Sequence, residues 1–293
     1  MKKVVIGYDG TAKSKDALCF GRMLARATSS TLYVACIFED QPLFGDVQGQ
    51  EAERDQAIKR LFDDAARELD SRAFEEYTAT GSAAEGLSAT AHGIDADLIV
   101  VGSSHQGKLG RIYPGSVGER LLNGTGCAVA VVPREFAQRP EAGTGTIGVA
   151  FDGRKESEEA LVFAVELAEA LDATLRLIAV VTNEFNEEPS GDDAAFLQSL
   201  RHKISERVAE AEERLPEDLN FGAVIEEGDP VEVLAERSAD VDLMVVGSRA
   251  YGPVGYAILG GISHPLMRVA RSPVIVVPKG VGKPAGETEP VAV

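Results

Sequence analysis

The chain has 293 residues, 44% hydrophobic and 26% charged, which is the composition of a folded protein with room for two ordinary domains and not that of a disordered one. A formal net charge of −18 argues against nucleic acid as a partner, although a small anion can still be held by backbone N–H groups and one or two local cations. No apolar run approaches the roughly 20 residues that cross a bilayer. Met1-Lys2-Lys3 leads straight into a strand-like segment without a signal-peptide pattern, and Cys19, Cys36 and Cys127 show no paired spacing; a reduced, cytoplasmic protein is expected.

Residues 3–8 form a short apolar run ending in Asp9-Gly10, read as a buried strand and a turn. Helical spacing follows from Lys13 to Thr28, then a second strand at 32–38. A loop with Pro42, Gly45 and Gly49 precedes an amphipathic helix over 51–71 that carries Ile58, Leu61, Phe62, Ala65 and Leu69 on one face. A strand at 74–80, a short helix at 83–92 and an apolar strand at 97–101 come next. A helix at 115–122 and a last strand at 127–132, stopped by Pro133, complete the unit. Alternating helices and continuous apolar strands predict parallel sheets covered on both faces, an α/β, doubly wound, Rossmann-like architecture with five strands per unit.

The pattern then restarts. The first strand and its Asp-Gly turn recur at 147–153, the second strand at 175–181, the fourth at 242–246 and the last at 273–277. A repeat of one domain length is a tandem duplication and not a solenoid. The predicted domains are 1–134 and 146–279, joined by a linker at 135–145 with Pro140 and Gly143. A Gly-, Pro- and Glu-rich tail at 280–293 reads as disordered.

Within each half one stretch stands out. Residues 100–117 read VVGSSHQGKLGRIYPGSV and residues 245–262 read VVGSRAYGPVGYAILGGI, so Gly102, Gly107, Gly110 and Gly115 recur as Gly247, Gly252, Gly255 and Gly260, each 145 residues on. Glycines allow close backbone approach and positive φ, and a helix opening at Gly115-Ser116 has free N–H groups that favour an anion. Ser116 can donate to a phosphate or cap the helix, Lys108 and Arg111 offer local positive charge, and His105 is the one histidine in the stretch. Ligands of open parallel sheets bind beyond the C-terminal strand ends where strand order reverses. Asp9 at the first strand end could therefore face an amino or hydroxyl group, or could cap its own turn. GYDGTAKS lacks the Gly-Lys-Ser/Thr ending of a P-loop, no G-x-G-x-x-G follows the first strand, and no H-E-x-x-H or G-x-S-x-G motif occurs; no catalytic residue and no metal site is predicted.

These residues resemble the universal stress protein family, and the doubled length resembles its tandem members. The resemblance covers both halves and rests on the Asp-Gly turn, DLIVVGS and DLMVVGS, the GSVGERLL and GGISHPLM segments, and the final VAVVP and VIVVP strands. ATP-binding members carry G-x-x-G, nine residues, then Gly-Ser/Thr. Gly102 with Gly115-Ser116 and Gly247 with Gly260 match the outer positions, whereas His105 and Ala250 stand at the second glycine and Gly261 replaces the final serine. The resemblance implies ATP or AMP as ligand, with or without magnesium, and the first half binding better than the second. It places Asp9 and Asp152 against the adenine or ribose, with Ile37 and Val180 flanking the base. Val101 and Val246 would line the pocket, and Val117, Arg249 and Gly252 complete the set. It further implies that the last strands pair the two halves, and leaves dimerisation of whole chains open. The function so implied is a stress-response regulatory module with no or only slow ATP hydrolysis. Two alternatives remain open: an interaction protein holding no nucleotide, and an ATP-dependent enzyme of the adenine-nucleotide hydrolase fold, whose S-G-G-x-D-S loop is replaced here by YDGTAKS.

Overall fold

The computed structural model describes residues 1–39, 47–104, 112–138, 145–182, 191–248 and 261–280. In the first half β1 (Lys3–Gly7), α1 (Ala12–Thr28), β2 (Thr31–Phe38), α2 (Val47–Leu69), β3 (Glu75–Thr80), α3 (Ala83–Ile94), β4 (Leu98–Gly102), α4 (Gly115–Leu122) and β5 (Ala128–Val132) follow in order. The second half repeats them as β6 (Thr146–Ala150), α5 (Lys155–Leu171), β7 (Thr174–Val181), α6 (Gly191–Glu212), β8 (Phe221–Glu227), α7 (Pro230–Arg237), β9 (Leu243–Gly247), α8 (Ser263–Leu266) and β10 (Val274–Val277). None of the described helices is long and apolar enough to cross a membrane.

Within each half all strands run parallel, in the order β3-β2-β1-β4-β5 and β8-β7-β6-β9-β10. The two expected sheets are continuous: β5 and β10 pair antiparallel, Val131 opposite Val274 and Val129 opposite Val276, giving one sheet of ten strands. Short apolar strands with unpaired edges tend to pair in this way.

Alternation along each strand divides the side chains between two cores. Val4, Ile6, Leu98, Val100 and Ile275 face α1, α2, α5 and α6, where Phe20, Leu24, Phe62 and Leu167 are buried. Val5, Ile99, Val101, Met244 and Val246 face the opposite layer, with Leu87, Leu121, Leu234 and Leu266. Burying each such side chain contributes roughly 1.5–3 kcal/mol before entropy. Both layers run through both halves, and Ile112, fully buried, donates its N–H to Ala270 O at 3.0 Å.

Local chemistry sets the element ends. Ser82 Oγ accepts from Glu85 N at the start of α3, and Asp229 Oδ1 accepts from Val231 and Glu232 N at 2.9 and 3.0 Å at the start of α7, where Pro230 fills the first turn. Asp97 Oδ2 accepts from Lys2 and Lys3 N at 2.6 and 2.8 Å, and Asp242 Oδ2 from Thr146 N at 2.9 Å. The aspartate opening each D-L motif thus ties the fourth strand to the start of the first.

The predicted linker is docked over its first residues. Asp16, buried on α1, accepts from Glu135 N at 3.0 Å and Ala137 N at 2.9 Å, and Phe136 sits edge-on to Phe20 with ring centres 5.4 Å apart. The composition break marks a domain boundary, but a buried carboxylate and an aromatic pair hold the chain leaving β5. The helix α2 also starts at Val47, within the segment expected to be loop. Residues 41–46 of that loop, 139–144 of the linker and 281–293 of the tail lie outside the described residues.

Candidate functional site

The reversal of strand order falls between β1 and β4, where Ile6 lies opposite Val100, and between β6 and β9, where Val149 lies opposite Val245. The expected neighbours are neighbours. Asp9, Ile37, Val101 and Gly102 therefore stand at or just past the C-terminal ends of β1, β2 and β4, with Asp152, Val180, Val246 and Gly247 at the matching ends of the second half.

In the second half these four residues line one cavity of about 410 Å³, within the roughly 300–1,000 Å³ range of small-molecule sites. Ile178, Val180 and Val246 give it apolar walls, α7 closes one side through Leu234, and Ile262 and Ser263 approach from the end of the glycine stretch. The α6 helix contributes Leu200, Lys203, Ile204 and Arg207, a single stripe at i, i+3, i+4 and i+7. Arg154 and Glu156 come from the turn after β6. None of the α6 residues, nor Arg154 or Glu156, was among the residues marked by the sequence. Only the spacing of the α6 stripe could have signalled them, and that spacing reads equally as helix packing.

Both strand-end aspartates cap their turns. Asp9 Oδ1 accepts from Thr11 N at 3.1 Å and Asp152 Oδ1 from Arg154 N at 3.0 Å, while Gly10 and Gly153 take φ of 76° and 69°. Ser157 Oγ adds a 2.9 Å bond to Asp152 Oδ1, and Arg154 Nε lies 3.5 Å from Oδ2. Burial tends to raise the Asp9 carboxyl, but hydrogen bonds from Thr11 and Ser14 and the ammonium of Lys13 outweigh it and hold the group below the usual carboxylate range. Both carboxylates keep an exposed flank, 51% for Asp9 and 37% for Asp152.

The glycines divide by role. A Cβ on Gly102 would lie 1.9 Å from Lys13 O, and one on Gly247 2.3 Å from Glu156 O, neither at positive φ. These two glycines let β4 and β9 pack against the first turn of α1 and α5; what requires them is a close approach of backbone to backbone. Gly115 does take positive φ, 64°, where α4 begins. Ser116 is exposed at the second helical position and caps nothing, with Pro114 in the cap position and Val117 half-buried beside it. The entry and exit of the first glycine loop are clipped together: Ser103 Oγ accepts from Tyr113 N at 2.7 Å and Ser104 N donates to Tyr113 O at 2.7 Å. His105, Gly107, Lys108, Arg111, Arg249, Gly252 and Gly260 lie outside the described residues.

A family model described as "Universal stress protein family" matches residues 1–133 and 143–278. A universal stress protein of Mycobacterium tuberculosis is 36% identical over 185 residues, a match spanning 62% of this chain and 62% of that relative. In structure the chain is similar to a universal stress protein from Archaeoglobus fulgidus, with a TM-score of 0.67, 19% identity, and coverage of 95% of this chain and 98% of the other. It is also similar to a putative universal stress protein from Pseudomonas aeruginosa, with a TM-score of 0.64, 16% identity, and coverage of 96% and 95%. At these identities the two structures show the shared fold. Two family matches, one to each half of a doubled α/β fold, mean that the chain belongs to the universal stress protein family as a tandem member.

Proposed function

We propose that this chain is an adenine-nucleotide-binding regulatory module, taking ATP or AMP and hydrolysing ATP slowly or not at all. The observation that carries the reading is the cavity of the second half, which combines apolar walls suited to a flat base with the part-exposed Asp152 carboxylate at the strand-order reversal. Val180 flanks the base, Val246 lines the same pocket, and Asp152 accepts from an amino or ribose hydroxyl group. The first half offers the same strand ends through Asp9, Ile37 and Val101, with Lys108, Arg111 and Ser116 as its phosphate contacts and with the stronger binding implied by its loop. The antiparallel contact of β5 with β10 supports a pseudo-dimer of the two halves.

The test is to denature the purified full chain, identify any released small molecule, and titrate the emptied protein calorimetrically with ATP, AMP and adenosine while following phosphate release. Saturable nucleotide binding with turnover slower than about one per minute is expected, against the roughly 1–1,000 s⁻¹ of ordinary enzymes. An empty protein that takes up none of the three ligands would refute the reading, and rapid phosphate or pyrophosphate release would refute its regulatory part.

A further inference from the structure

The two halves repeat the same elements in the same strand order, so their sites can be compared residue by residue. Thr11 and Arg154 both donate a backbone N–H to the carboxylate two residues before. Over the turn glycine, a Cβ on Gly10 would meet Leu61 Cδ2 at 3.0 Å, and one on Gly153 would meet Arg207 Cδ at 2.3 Å. Leu61 and Arg207 therefore hold the same place, and one turn earlier Ala57 corresponds to Lys203. Thr11, Ala57 and Leu61 in the first half are thus Arg154, Lys203 and Arg207 in the second. Lys13 is replaced in turn by Glu156, so the start of the first helix changes its pattern of charge while α6 gains two cations facing the cavity.

From this exchange we infer that the second cavity has its own phosphate-recognition element, formed by Arg154, Lys203 and Arg207, and holds the anionic end of its ligand against α6. The inference rests on the nucleotide reading of that cavity. All three cations line it, against the two carboxylates of Asp152 and Glu156. Asp152 is engaged by the N–H of Arg154, by the hydroxyl of Ser157 and by the Arg154 guanidinium, whose Nε lies 3.5 Å from Oδ2, so Arg154 offers the ligand its remaining donors. Arg207 spends one donor on the Asp152 carbonyl, at 2.8 Å, and forms no ion pair among the described residues; Lys203 likewise has none. Lys203 and Arg207 stand at i and i+4 on α6, with Cβ atoms roughly 5–6 Å apart, a separation at which an ammonium and a guanidinium can grip one phosphate. Between them Ile204, beside Leu200, continues the apolar wall, so the ring and the charge of one ligand are served by one helix face. The element stands in the half whose glycine stretch has Gly261 in place of the serine, where a different grip on phosphate is needed.

The experiment uses the full chain and its variants Lys203→Ala, Arg207→Leu and the double variant, titrated with adenosine and AMP at low and high salt. Arg207→Leu installs the side chain already accommodated at Leu61, and Lys203 is exposed, so the fold is expected to survive; thermal melts check this, and Lys203→Glu supplies a second, surface-only test. The expected result is that one of the AMP-binding events weakens roughly tenfold per lost cation and loses much of its salt dependence, while adenosine binding is unchanged and Lys203→Arg restores AMP affinity. If AMP and adenosine bind equally well to the native chain, or if AMP affinity survives both Lys203→Glu and the double variant, the phosphate element is refuted and the nucleotide reading stands. If neither ligand binds the native chain at all, both readings fall together.

Discussion

Gly102 tests whether its glycine is required by the ligand or by the fold. A Cβ placed there would lie 1.9 Å from Lys13 O and 2.5 Å from Lys13 C, both backbone atoms that no rotamer change can move aside. Relief requires the start of α1 to withdraw by more than about 1 Å, and α1 carries Leu18, Phe20 and Leu24 of the core beneath it. Overpacking of this kind costs about 1–3 kcal/mol, with the upper part of that range expected where the obstacle is main chain. The unfolded-state gain from replacing glycine offsets about 0.4–1 kcal/mol. Gly102→Ala should therefore destabilise the ligand-free chain by about 2 kcal/mol, lowering Tm by roughly 4–8 °C. Gly93→Ala is the control: it lies inside α3 with nothing within 4 Å of the added carbon, and should gain about 0.5–1 kcal/mol. Urea melts of both variants without nucleotide make the measurement. If Gly102→Ala melts with the native chain while its nucleotide affinity collapses, the glycine serves the ligand and the packing argument is wrong.

Two further outcomes follow from side-chain pairs. Tyr8 OH donates to Asp64 Oδ2 at 2.5 Å, and this bond, helped by Lys15 and Arg67 against the cost of burial, holds the Asp64 carboxyl below the usual carboxylate range. A depressed folded pKa contributes stability above the unfolded value of about 3.9 that is lost as pH falls through the folded one; Tyr8→Phe should thus cost about 1 kcal/mol at pH 7 and progressively less as pH falls below 4, and a deficit independent of pH in urea melts would count against the pair. Lys15 Nζ lies 2.6 Å from Glu68 Oε1, whereas the second half has Glu158 2.8 Å from Arg214, the same contact with the charges exchanged. Lys15→Glu alone should cost about 0.5–1 kcal/mol, and adding Glu68→Arg should restore it; a double variant less stable than the single one would refute the exchange.

Strand and helix order, the Asp-Gly turns and the reversal of strand order were legible because each depends on local pattern: apolar runs of strand length, helical spacing, and a turn residue at a fixed place. The reasons behind the motifs were not. Gly102 reads as a loop glycine until α1 is seen crossing behind it, and the Asp97 carboxylate reads as part of a strand motif until it is seen accepting from Lys2 and Lys3 N, some 95 residues away. The docking of residues 135–137 was hidden for the same cause, since Asp16 meets them 119 to 121 residues along the chain. For the site, the walls Val180 and Val246 and the carboxylate Asp152 came from the motifs, because strand ends are fixed by the fold. The α6 cations did not, because on a charged amphipathic helix an Arg or Lys facing a cavity has the same spacing as one facing water.

The duplicated halves supply an internal standard for separating those two kinds of cation. Where a charge serves the fold, its partner must change with it: Arg214 stands where Glu68 does, and Glu158 stands where Lys15 does, so the pair persists with its polarity reversed. Lys203 and Arg207 stand where the first half has an alanine and a leucine, and the acid that appears beside them, Glu206 in place of Arg60, pairs with His202 and with neither of them. Glu156, the one new acid at the cavity, took the place of Lys13, while Arg154 took the place of Thr11 on the same wall and two further cations appeared on α6. Like charges at i and i+4 on one helix face cost a few tenths of a kcal/mol, a cost reduced in part by the acids Glu206 and Glu210 one turn away. A bound phosphate offsets it directly. AMP should consequently stabilise the chain more than adenosine does at the same concentration, by mass action, and the difference should shrink as salt screens the cations.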